Sequence, residues 1–429
     1  MPLSNNKITC SYLCRAAAGA FIFLASLASC ACAAVYWIAP AGSPGGNGSE
    51  NAPFDSIETA LARAGGGHTF MLKPGYYRGP VRFVAAHRGS PERPTVLKSQ
   101  QKYGAIVNGS PSSGIHVMKN CPWVVIDGLT ISGSLYSGVV FDSDYCVVRN
   151  CHIHNNATNG VGAFGRNNIV IENNLVEFNG QHPQFYHGIY FHGDRVIIRN
   201  NIVRYNSGWG LHLYPEVSNS RIENNLVHNN NGCGILVCSK QGVGSNLVLH
   251  NTVTENGRGV EIKDGYKDMV LNNIIAYNPF RKEGTSVSGY GGDSLKNVLI
   301  DYNLLVPAVK GAGKHNISAD PLFESEEKKL FYLQPKSPAL KKGISVSSYY
   351  RDFLGRAREP GRRCDLGCFP HSVAAPSPQA RQGWYLGWPF FYKQKLDVMP
   401  DLWKLPQEKR PEGKGRTNNT LRKGPSIQD

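Results

Sequence analysis

A short unit recurs along the middle of the chain and limits the folds that the chain can adopt. Each unit starts with a glycine, continues with alternating apolar residues, and begins 22 to 28 residues after the previous one. The glycines are Gly114, Gly138, Gly160, Gly188, Gly210, Gly234 and Gly259. A sandwich or a barrel would show no fixed period, whereas this repeat indicates a solenoid of stacked coils.

A second unit, two apolar residues followed by any residue and an asparagine, recurs out of phase with the first. Its copies are VVRN at 147–150, VIEN at 170–173, IIRN at 197–200 and the variant RIEN at 221–224. Short runs of Val and Ile between Gly and Asn are typical of strands and turns. We therefore expect an all-β parallel β-helix with two strands in each coil and about 4.8 Å between equivalent residues of neighbouring coils. The aligned asparagines are then structural, hydrogen-bonded to one another and to turn backbones.

The N-terminal end of the repeats carries a helix signal. Asp55, Ser56, Ile57 and Glu58 form a capping-box pattern that predicts a short helix covering the first coil. We expect Ile57, Leu61 and Ala64 on the buried face of that helix.

Three further segments carry a family resemblance: APFDSI at 52–57, KPGYYR at 73–78 and DPLF at 320–323. They resemble the ends of bacterial right-handed parallel β-helix repeat proteins, and the resemblance covers roughly residues 35 to 370. It implies a right-handed helix from a superfamily that contains polysaccharide lyases and uronan epimerases, together with glycoside hydrolases and proteins without a known role. The chain lacks the dense Asp cluster of the pectate-lyase type and the Asp array of the polygalacturonase type. The stretch 261–263 resembles lyases that use a lysine base, without the matching arginine one coil later.

Both ends of the chain differ in composition from the repeats. Residues 1–34 follow the pattern of a signal peptide, with Lys7 and Arg15, an apolar stretch at 16–28 and small residues at 32–34. Residues 27–30 also resemble a lipobox, so that a lipoprotein anchored through Cys30 and a freely exported protein both stay open. We therefore expect a secreted, periplasmic or cell-surface protein that contacts a membrane only if Cys30 is lipidated. Residues 35–370 form the β-helix, and 371–429 a basic, Pro-rich, partly disordered tail.

The charge distribution favours a polyanionic partner. The formal net charge is +15, and residues 62–104 hold eight Lys and Arg against Glu92 alone. An exported protein meets acidic glycans or lipid headgroups before nucleic acid, so we expect it to bind an acidic polysaccharide and no nucleic acid. We also expect a monomer.

Cysteines and metal ligands give weaker signals. Seven of the eleven cysteines lie in the body of the chain and cannot all pair with one another, so they imply no disulfide framework, although Cys364 and Cys368 are close enough to pair across a turn. No spacing of Cys and His resembles a zinc site. We expect no cofactor, although Asp142 and Asp144 leave a calcium ion possible.

Strand alternation predicts which side chains leave the core. The first and third residues after each glycine are apolar and point inward, so the second and fourth point outward in two columns. The outward pairs of five successive coils are Gly162 and Phe164, Tyr190 and His192, His212 and Tyr214, Leu236 and Cys238, and Glu261 and Lys263. We name Tyr190, His192, His212 and Tyr214 the His/Tyr block, and expect Tyr190 to stack on His212 and His192 on Tyr214.

An insertion borders the His/Tyr block. The 28-residue spacing marks an insertion at 180–186, just before His187, which would form a wall beside the block. A floor of aromatic side chains with a wall suits a sugar chain. The residues expected to bind it are Phe164, Phe185, Tyr186, His187, Glu216 and Glu261.

The residue types fit chemistry at a uronate. Removing the proton beside a carboxylate requires a cation, a base and a proton donor. Arg195 or Lys263 would neutralise the carboxylate, and a His and a Tyr of the block would act as base and acid. A lyase and a C5-epimerase differ only in the fate of the second proton, so both stay open.

Two other functions remain open. A hydrolase needs two carboxylates about 5 to 9.5 Å apart, and we expect Glu216 and Glu261 to be too distant. A noncatalytic glycan-binding or surface-structural solenoid needs only the aromatic side chains, which also stabilise sheets by pairing across strands.

Overall fold

The computed structural model describes residues 33–42, 44–181, 185–279, 284–290, 294–346, 351–358, 361–369 and 371. The predicted signal peptide, apart from residues 33 and 34, lies outside the described residues, and so does the predicted tail apart from His371. Among the described residues no helix is long and apolar enough to cross a membrane.

The chain forms a right-handed parallel β-helix in which each complete coil passes through three sheets in turn. Sheet 1 contains Val35–Ile38, Thr69–Leu72, Thr95–Ser99, Val124–Asp127, Val147–Arg149, Val170–Glu172, Ile197–Arg199, Arg221–Glu223, Leu247–Leu249, Tyr266–Leu271 and Asn297–Asp301. Sheet 2 contains Gly75–Arg78, Ala105–Asn108, Thr130–Ser132, His152–His154, Leu175–Glu177, Ile202–Arg204, Leu226–His228, Thr252–Thr254, Ile274–Ala276 and Leu304–Leu305. Sheet 3 contains Val81–Phe83, Ile115–Val117, Val139–Phe141, Val161–Phe164, Ile189–Asp194, Leu211–Ser218, Cys233–Ser239, Arg258–Lys263 and Val287–Gly289.

The all-β parallel β-helix is confirmed, but the expectation of two strands in each coil is wrong. The Asn-ended unit belongs to sheet 1 and the Gly-led unit to sheet 3, and the strands of sheet 2 were missed. Only two residues separate Val170–Glu172 of sheet 1 from Leu175–Glu177 of sheet 2. Because Asn173 turns the chain with a left-handed φ of 56°, the two strands read as one segment in the sequence.

The predicted core alternation holds in sheet 3. The first and third residues after each glycine, such as Ile189 with Phe191 and Leu211 with Leu213, have no exposed surface. Side chains at the second and fourth positions therefore lie on the outer face of the sheet, as the pattern predicts.

Asparagines form two ladders along the stack. The residues of the first ladder are Asn174, Asn201, Asn225, Asn251, Asn273, Asn303 and Asn316, and those of the second are Asn156, Asn179, Asn206, Asn230, Asn256 and Asn278. In each step an Nδ2 donates to the Oδ1 of the next coil, for example from Asn201 to Asn225 at 3.0 Å. The predicted structural role is confirmed, but the ladder is formed by the residue after the predicted asparagine. Asn173 and Asn200 adopt a left-handed φ, and Asn174 and Asn201 join the ladder.

A helix, Ile57–Ala64, packs against the first coils. The Oγ of its N-cap Ser56 accepts the N–H of Thr59 at 3.1 Å, so Thr59 rather than Glu58 completes the cap. The buried residues are Ile57, Ala60 and Leu61. A 3-10 turn, Ala85–His87, follows the first strand of sheet 3.

The C-terminal part of the described chain packs on the outside of the last coils. An antiparallel pair, Phe323–Ser325 and Leu330–Leu333, joins Leu366 and Phe369 over outer residues of sheet 2. Val346 covers outer residues of sheet 1. This segment thus packs on sheets 1 and 2, whereas the predicted site lies on sheet 3.

The seven cysteines of the described residues are all free. Cys364 and Cys368 are not paired; the Sγ of Cys364 lies 3.8 Å from the Nε2 of His250.

Candidate functional site

Tyr190 and His212 face each other on neighbouring strands of sheet 3. They are register partners, and their rings stack with centroids 4.8 Å apart and an angle of 26°. His212 also stacks on Tyr214, two residues along the same strand, at 5.4 Å and 7°. The predicted stacking of Tyr190 on His212 is confirmed.

The predicted stacking of His192 on Tyr214 is wrong, because a bulge lies between them. The register breaks after Phe191 and Leu213 and resumes at Gly193 with Val217, so His192 faces the three residues 214–216. A bulge leaves the extra residues unpaired and redirects their side chains. Within the described residues, the ring contact of His192 is with Phe164 at 6.0 Å.

Trp209 completes the aromatic cluster and was not predicted. Its indole stacks on His212 with centroids 4.7 Å apart and an angle of 13°. Trp209 precedes Gly210 as His187 precedes Gly188, so a column on the N-terminal side of the glycines was the signal that could have found it. His187 contacts both Trp209, at 4.9 Å, and His212, at 4.2 Å.

His187 was expected to bind substrate, but it is only 2% exposed. Its Nδ1 accepts the backbone N–H of Trp209 at 3.2 Å, and the backbone N–H of His187 donates to the Oδ1 of Asn159 at 2.8 Å. The expectation is therefore corrected: His187 lies beneath the cluster and supports Trp209 and His212.

The histidines of the cluster are neutral near pH 7. Burial lowers the pKa of His212 to about 4, and burial lowers the pKa of His187 to about 2, with the neighbouring His212 adding to the effect. Burial also lowers the pKa of His192, and Arg166 adds to the effect. Burial raises the pKa of Tyr190, with Tyr214 adding to it, so the Tyr190 hydroxyl keeps its proton.

Hydrogen bonds distinguish the two histidines of the block. The Nδ1 of His192 accepts the N–H of Gly165 at 3.1 Å, which places the proton of the neutral ring on Nε2. The Nδ1 of His212 is buried and has no hydrogen-bond partner among the described residues. His192 is thus arranged to donate through Nε2, whereas His212 has one nitrogen without a partner.

Lys263 reaches back along sheet 3 to the block. Its register partner is Cys238, and its Nζ donates to the hydroxyl oxygen of Tyr214 at 3.5 Å. The same Nζ lies 4.8 Å from the ring centre of Tyr214 and 5.6 Å from that of Tyr290. Slight burial lowers the pKa of Lys263, but the contacts with Tyr214 outweigh it and the net shift is upward. The structure thus brings a cation to the block, as predicted.

Arg195 is held at the turn that follows its strand. Its guanidinium pairs with Asp194 and donates through Nε to the Oδ1 of Asn168 at 3.0 Å. Asp194 also accepts from Ser218 at 2.8 Å. Because Asp194 already compensates this charge, Lys263 is the better placed of the two predicted cations.

The two predicted carboxylates are placed differently. Glu261 is 5% exposed and accepts from the Nη1 of Arg258 at 2.8 Å. Its expected role in binding substrate is therefore corrected to a buried ion pair. Glu216 is exposed on the bulge and lies close enough to His192 to favour the protonated, charged form of that histidine.

Phe164 closes one end of the block. Its ring meets Tyr190 edge-on at 5.1 Å and lies over Gly162, where a Cβ would come within 3.0 Å of the Phe164 Cζ. Phe185 is 63% exposed and Tyr186 is half-buried. Residues 182–184 of the insertion lie outside the described residues, so the wall stays a prediction.

The described residues contain no group of three or more His, Cys, Asp or Glu side chains placed to hold a metal ion. The Oδ2 of Asp142 is hydrogen-bonded to the Nε2 of His116 at 2.8 Å, and the Oδ1 of Asp144 accepts the backbone N–H of Asn167 at 3.0 Å. The two carboxylates named for calcium are thus both bonded to protein groups.

Fold and site together define a right-handed parallel β-helix protein with an aromatic and histidine cluster on one sheet. The family model described as "Right handed beta helix region" matches residues 113–280. Comparison with curated proteins finds no match.

Solved structures with a similar fold include polysaccharide lyases. Pectate lyase Pel9A is 18% identical over 79% of this chain and 96% of its own, with a TM-score of 0.52. An alginate lyase from Paenibacillus sp. str. FPU-7 is 17% identical over 61% of this chain and 96% of its own, with a TM-score of 0.43. A rhamnogalacturonan lyase is 13% identical over 82% of this chain and 98% of its own, with a TM-score of 0.41. At such identities the likeness concerns the fold, and activity must be argued from the site.

Proposed function

We propose that this protein is an exported lyase or C5-epimerase that acts on a uronate-containing polysaccharide. The observation that carries the proposal is the contact of the Lys263 ammonium with the Tyr214 hydroxyl, beside the neutral ring of His212. A cation, a phenol and a neutral imidazole side by side are the groups that chemistry next to a carboxylate requires.

The first step would be removal of the proton at C5 of a uronate. Lys263 would bind the sugar carboxylate and stabilise the negative charge that develops on it when the C5–H bond breaks. A neutral histidine of the block would take the proton, with His212 the better placed because its ring stacks on Tyr214, the residue that the Lys263 ammonium contacts. Its Nδ1 is buried, so Nε2 would be the reacting nitrogen.

The second step decides between the two reactions. In a lyase the electron pair of C5 forms a double bond to C4, the C4–O bond breaks, and a hydroxyl such as that of Tyr214 or Tyr190 protonates the leaving oxygen. In an epimerase a proton returns to C5 from the opposite face. The Nε2–H of His192 is a donor for either step.

A hydrolase receives less support from the site. The retaining and inverting mechanisms both use two carboxyl groups that reach the same bond. Glu261 is buried against Arg258, which leaves Glu216 and Asp264 as exposed carboxylates near the block, on coils two steps apart in sheet 3.

A noncatalytic glycan-binding protein is the second candidate. It is favoured by the pKa of His212, about 4, because a general base works best when its pKa lies near the working pH. The stack of Trp209, His212 and Tyr214 would serve such a protein as a binding surface.

The experiment is to incubate the purified protein with alginate, polygalacturonate and neutral xylan. Ultraviolet absorbance of unsaturated uronate and the number of reducing ends are followed together, and exchange at C5 is followed in deuterated water. A rise in both signals identifies a lyase, and exchange without new ends identifies an epimerase. New ends without absorbance would support a hydrolase, and binding without any reaction would support the glycan-binding protein.

Export is part of the proposal and has its own test. Expression in a bacterial host followed by mass spectrometry of the mature N-terminus separates cleavage after residue 34 from lipidation at Cys30. A mature chain that keeps residues 1–34 would contradict export.

A further inference from the structure

Arg166 presents an unoccupied guanidinium at the edge of sheet 3. Its Nε donates to the carbonyl oxygen of Phe164 at 3.0 Å, which fixes the plane of the group. Neither Nη has a partner among the described residues, and the side chain is half-buried rather than fully extended into solvent. A fixed guanidinium with two free Nη groups is suited to bind a carboxylate through two parallel hydrogen bonds.

Arg166 lies directly beside the His/Tyr block. Its backbone N–H donates to the carbonyl oxygen of His192 at 3.3 Å, and the preceding N–H, from Gly165, donates to the Nδ1 of the same residue. Phe164, which accepts from the guanidinium, contacts the rings of Tyr190 and His192. The cation therefore lies at the Phe164 end of the block, opposite Lys263.

The two cations contact different strands of sheet 3. Lys263 contacts Tyr214 and Arg166 contacts Phe164. The strands of these two partners are two steps apart in sheet 3, which corresponds to about 10 Å. An ion pair requires about 4 Å or less, so at a separation set by this strand spacing a ligand that meets both cations carries two separate negative charges.

We infer that Arg166 binds a second carboxylate of the polysaccharide, on a different sugar residue from the one held by Lys263. The inference rests on the proposed function only in taking a uronate polymer as the ligand. It adds that the site selects polymers in which uronates occur close together along the chain, and discriminates against those with isolated uronates. Arg166 acts in binding and specificity and takes no part in proton transfer.

The exposed carboxylate of Glu216 forms no ion pair with Arg166. Glu216 is exposed and lies near His192, yet the structure contains no ion pair between its carboxylate and Arg166. Arg195, by contrast, is paired with Asp194. The free guanidinium is therefore available to a ligand.

The test measures binding separately from turnover. Wild type, Arg166→Gln and Arg166→Lys are titrated by calorimetry with polygalacturonate, alginate and carboxyl-reduced polygalacturonate. Arg363→Gln is the matched control, because Arg363 is an exposed arginine of the C-terminal segment and its loss removes the same charge. Thermal unfolding of each variant checks the fold, and Arg166→Lys keeps the charge if Arg166→Gln does not fold.

We expect Arg166→Gln to weaken binding of at least one acidic polymer about ten- to hundredfold, Arg166→Lys to weaken it less, and Arg363→Gln to leave it unchanged. Binding of the carboxyl-reduced polymer should not depend on Arg166. This pattern supports the inference even if no polymer is turned over, in which case only the enzymatic proposal fails. Equal losses in Arg166→Gln and Arg363→Gln, unchanged binding in Arg166→Gln, or no binding of any acidic polymer by the wild type would overturn it.

Discussion

The Nζ of Lys263 lies 3.5 Å from the hydroxyl oxygen of Tyr214, although two strand steps of sheet 3 separate the two residues. Cys238 lies on the strand between them in register with Lys263, and the lysine ammonium meets the aromatic cluster at the Tyr214 hydroxyl.

Replacing Lys263 with Met should remove the charge that stabilises the developing negative charge on the substrate. If the protein is a lyase, we expect kcat/KM on its uronate polymer to fall about 100-fold or more. Lys240→Met is the control, because Lys240 is exposed on the preceding coil and has no ring or hydrogen-bond contact with the block in the structure. Equal effects of the two substitutions would show that only the overall charge matters.

Replacing His192 and His212 with Ala, singly, should separate catalysis from binding. For an enzyme we expect kcat to fall about 100-fold or more while the Kd of the polymer changes little, since general acid and base catalysis contributes on this scale. Single-turnover assays and calorimetry measure the two quantities. A weaker Kd with no change in turnover, or no turnover in the wild type, would favour the glycan-binding protein.

The stability of the fold should fall as the pH decreases below about 6.5. His228 is 1% exposed and its burial lowers its pKa to about 4. Between that value and the unfolded pKa of about 6.5 the unfolded chain binds the extra proton, so stability rises with pH in this window and is lost on acidification. His228 alone accounts for about 3 kcal/mol by pH 4, and His187 and His212 act in the same direction.

Urea unfolding at pH 7, 5.5 and 4.5 checks this expectation. His228→Gln should reduce the change in the free energy of unfolding between pH 7 and 4.5. An unchanged pH dependence in this variant would contradict the assignment.

A substitution in the asparagine ladder should lower the free energy of unfolding far more than a substitution at a turn residue of the preceding coil. Asn225 donates to Ile198 and Asn251 and accepts from Asn201, all at 2.8 to 3.1 Å in the interior. Asn225→Ala leaves these groups unsatisfied and should lower the free energy of unfolding by about 3 kcal/mol or more. Asn200→Gly is the matched control: a φ of 54° suits glycine, and we expect a change within about 1 kcal/mol. Comparable losses in the two variants would show that the ladder bonds are not the main stabilising term.

The sequence determined much of the architecture because a solenoid repeats its local rules. Alternation after each glycine identified the buried residues of sheet 3, such as Ile189 and Phe191, and hence the outer column that holds Tyr190 and His212. A fixed coil length then placed Lys263 in register with Cys238 and within reach of Tyr214.

Other features depend on contacts that no local pattern records. The tight turns merged sheets 1 and 2 into one apparent unit, because a single left-handed residue such as Asn173 redirects the chain. The bulge at 214–216 moved Tyr214 away from His192, since unpaired residues shift the register without changing the apolar pattern.

The fate of each charged side chain was also decided in three dimensions. Glu261 is buried and its Oε1 accepts from Arg258, three residues earlier, and Arg195 is held by Asp194. Arg166 remains free because only its Nε finds a protein acceptor. The sequence alone determined the coils and their outward columns through short-range periodicity, whereas tertiary packing decided which outward groups are neutral, paired or open to a ligand.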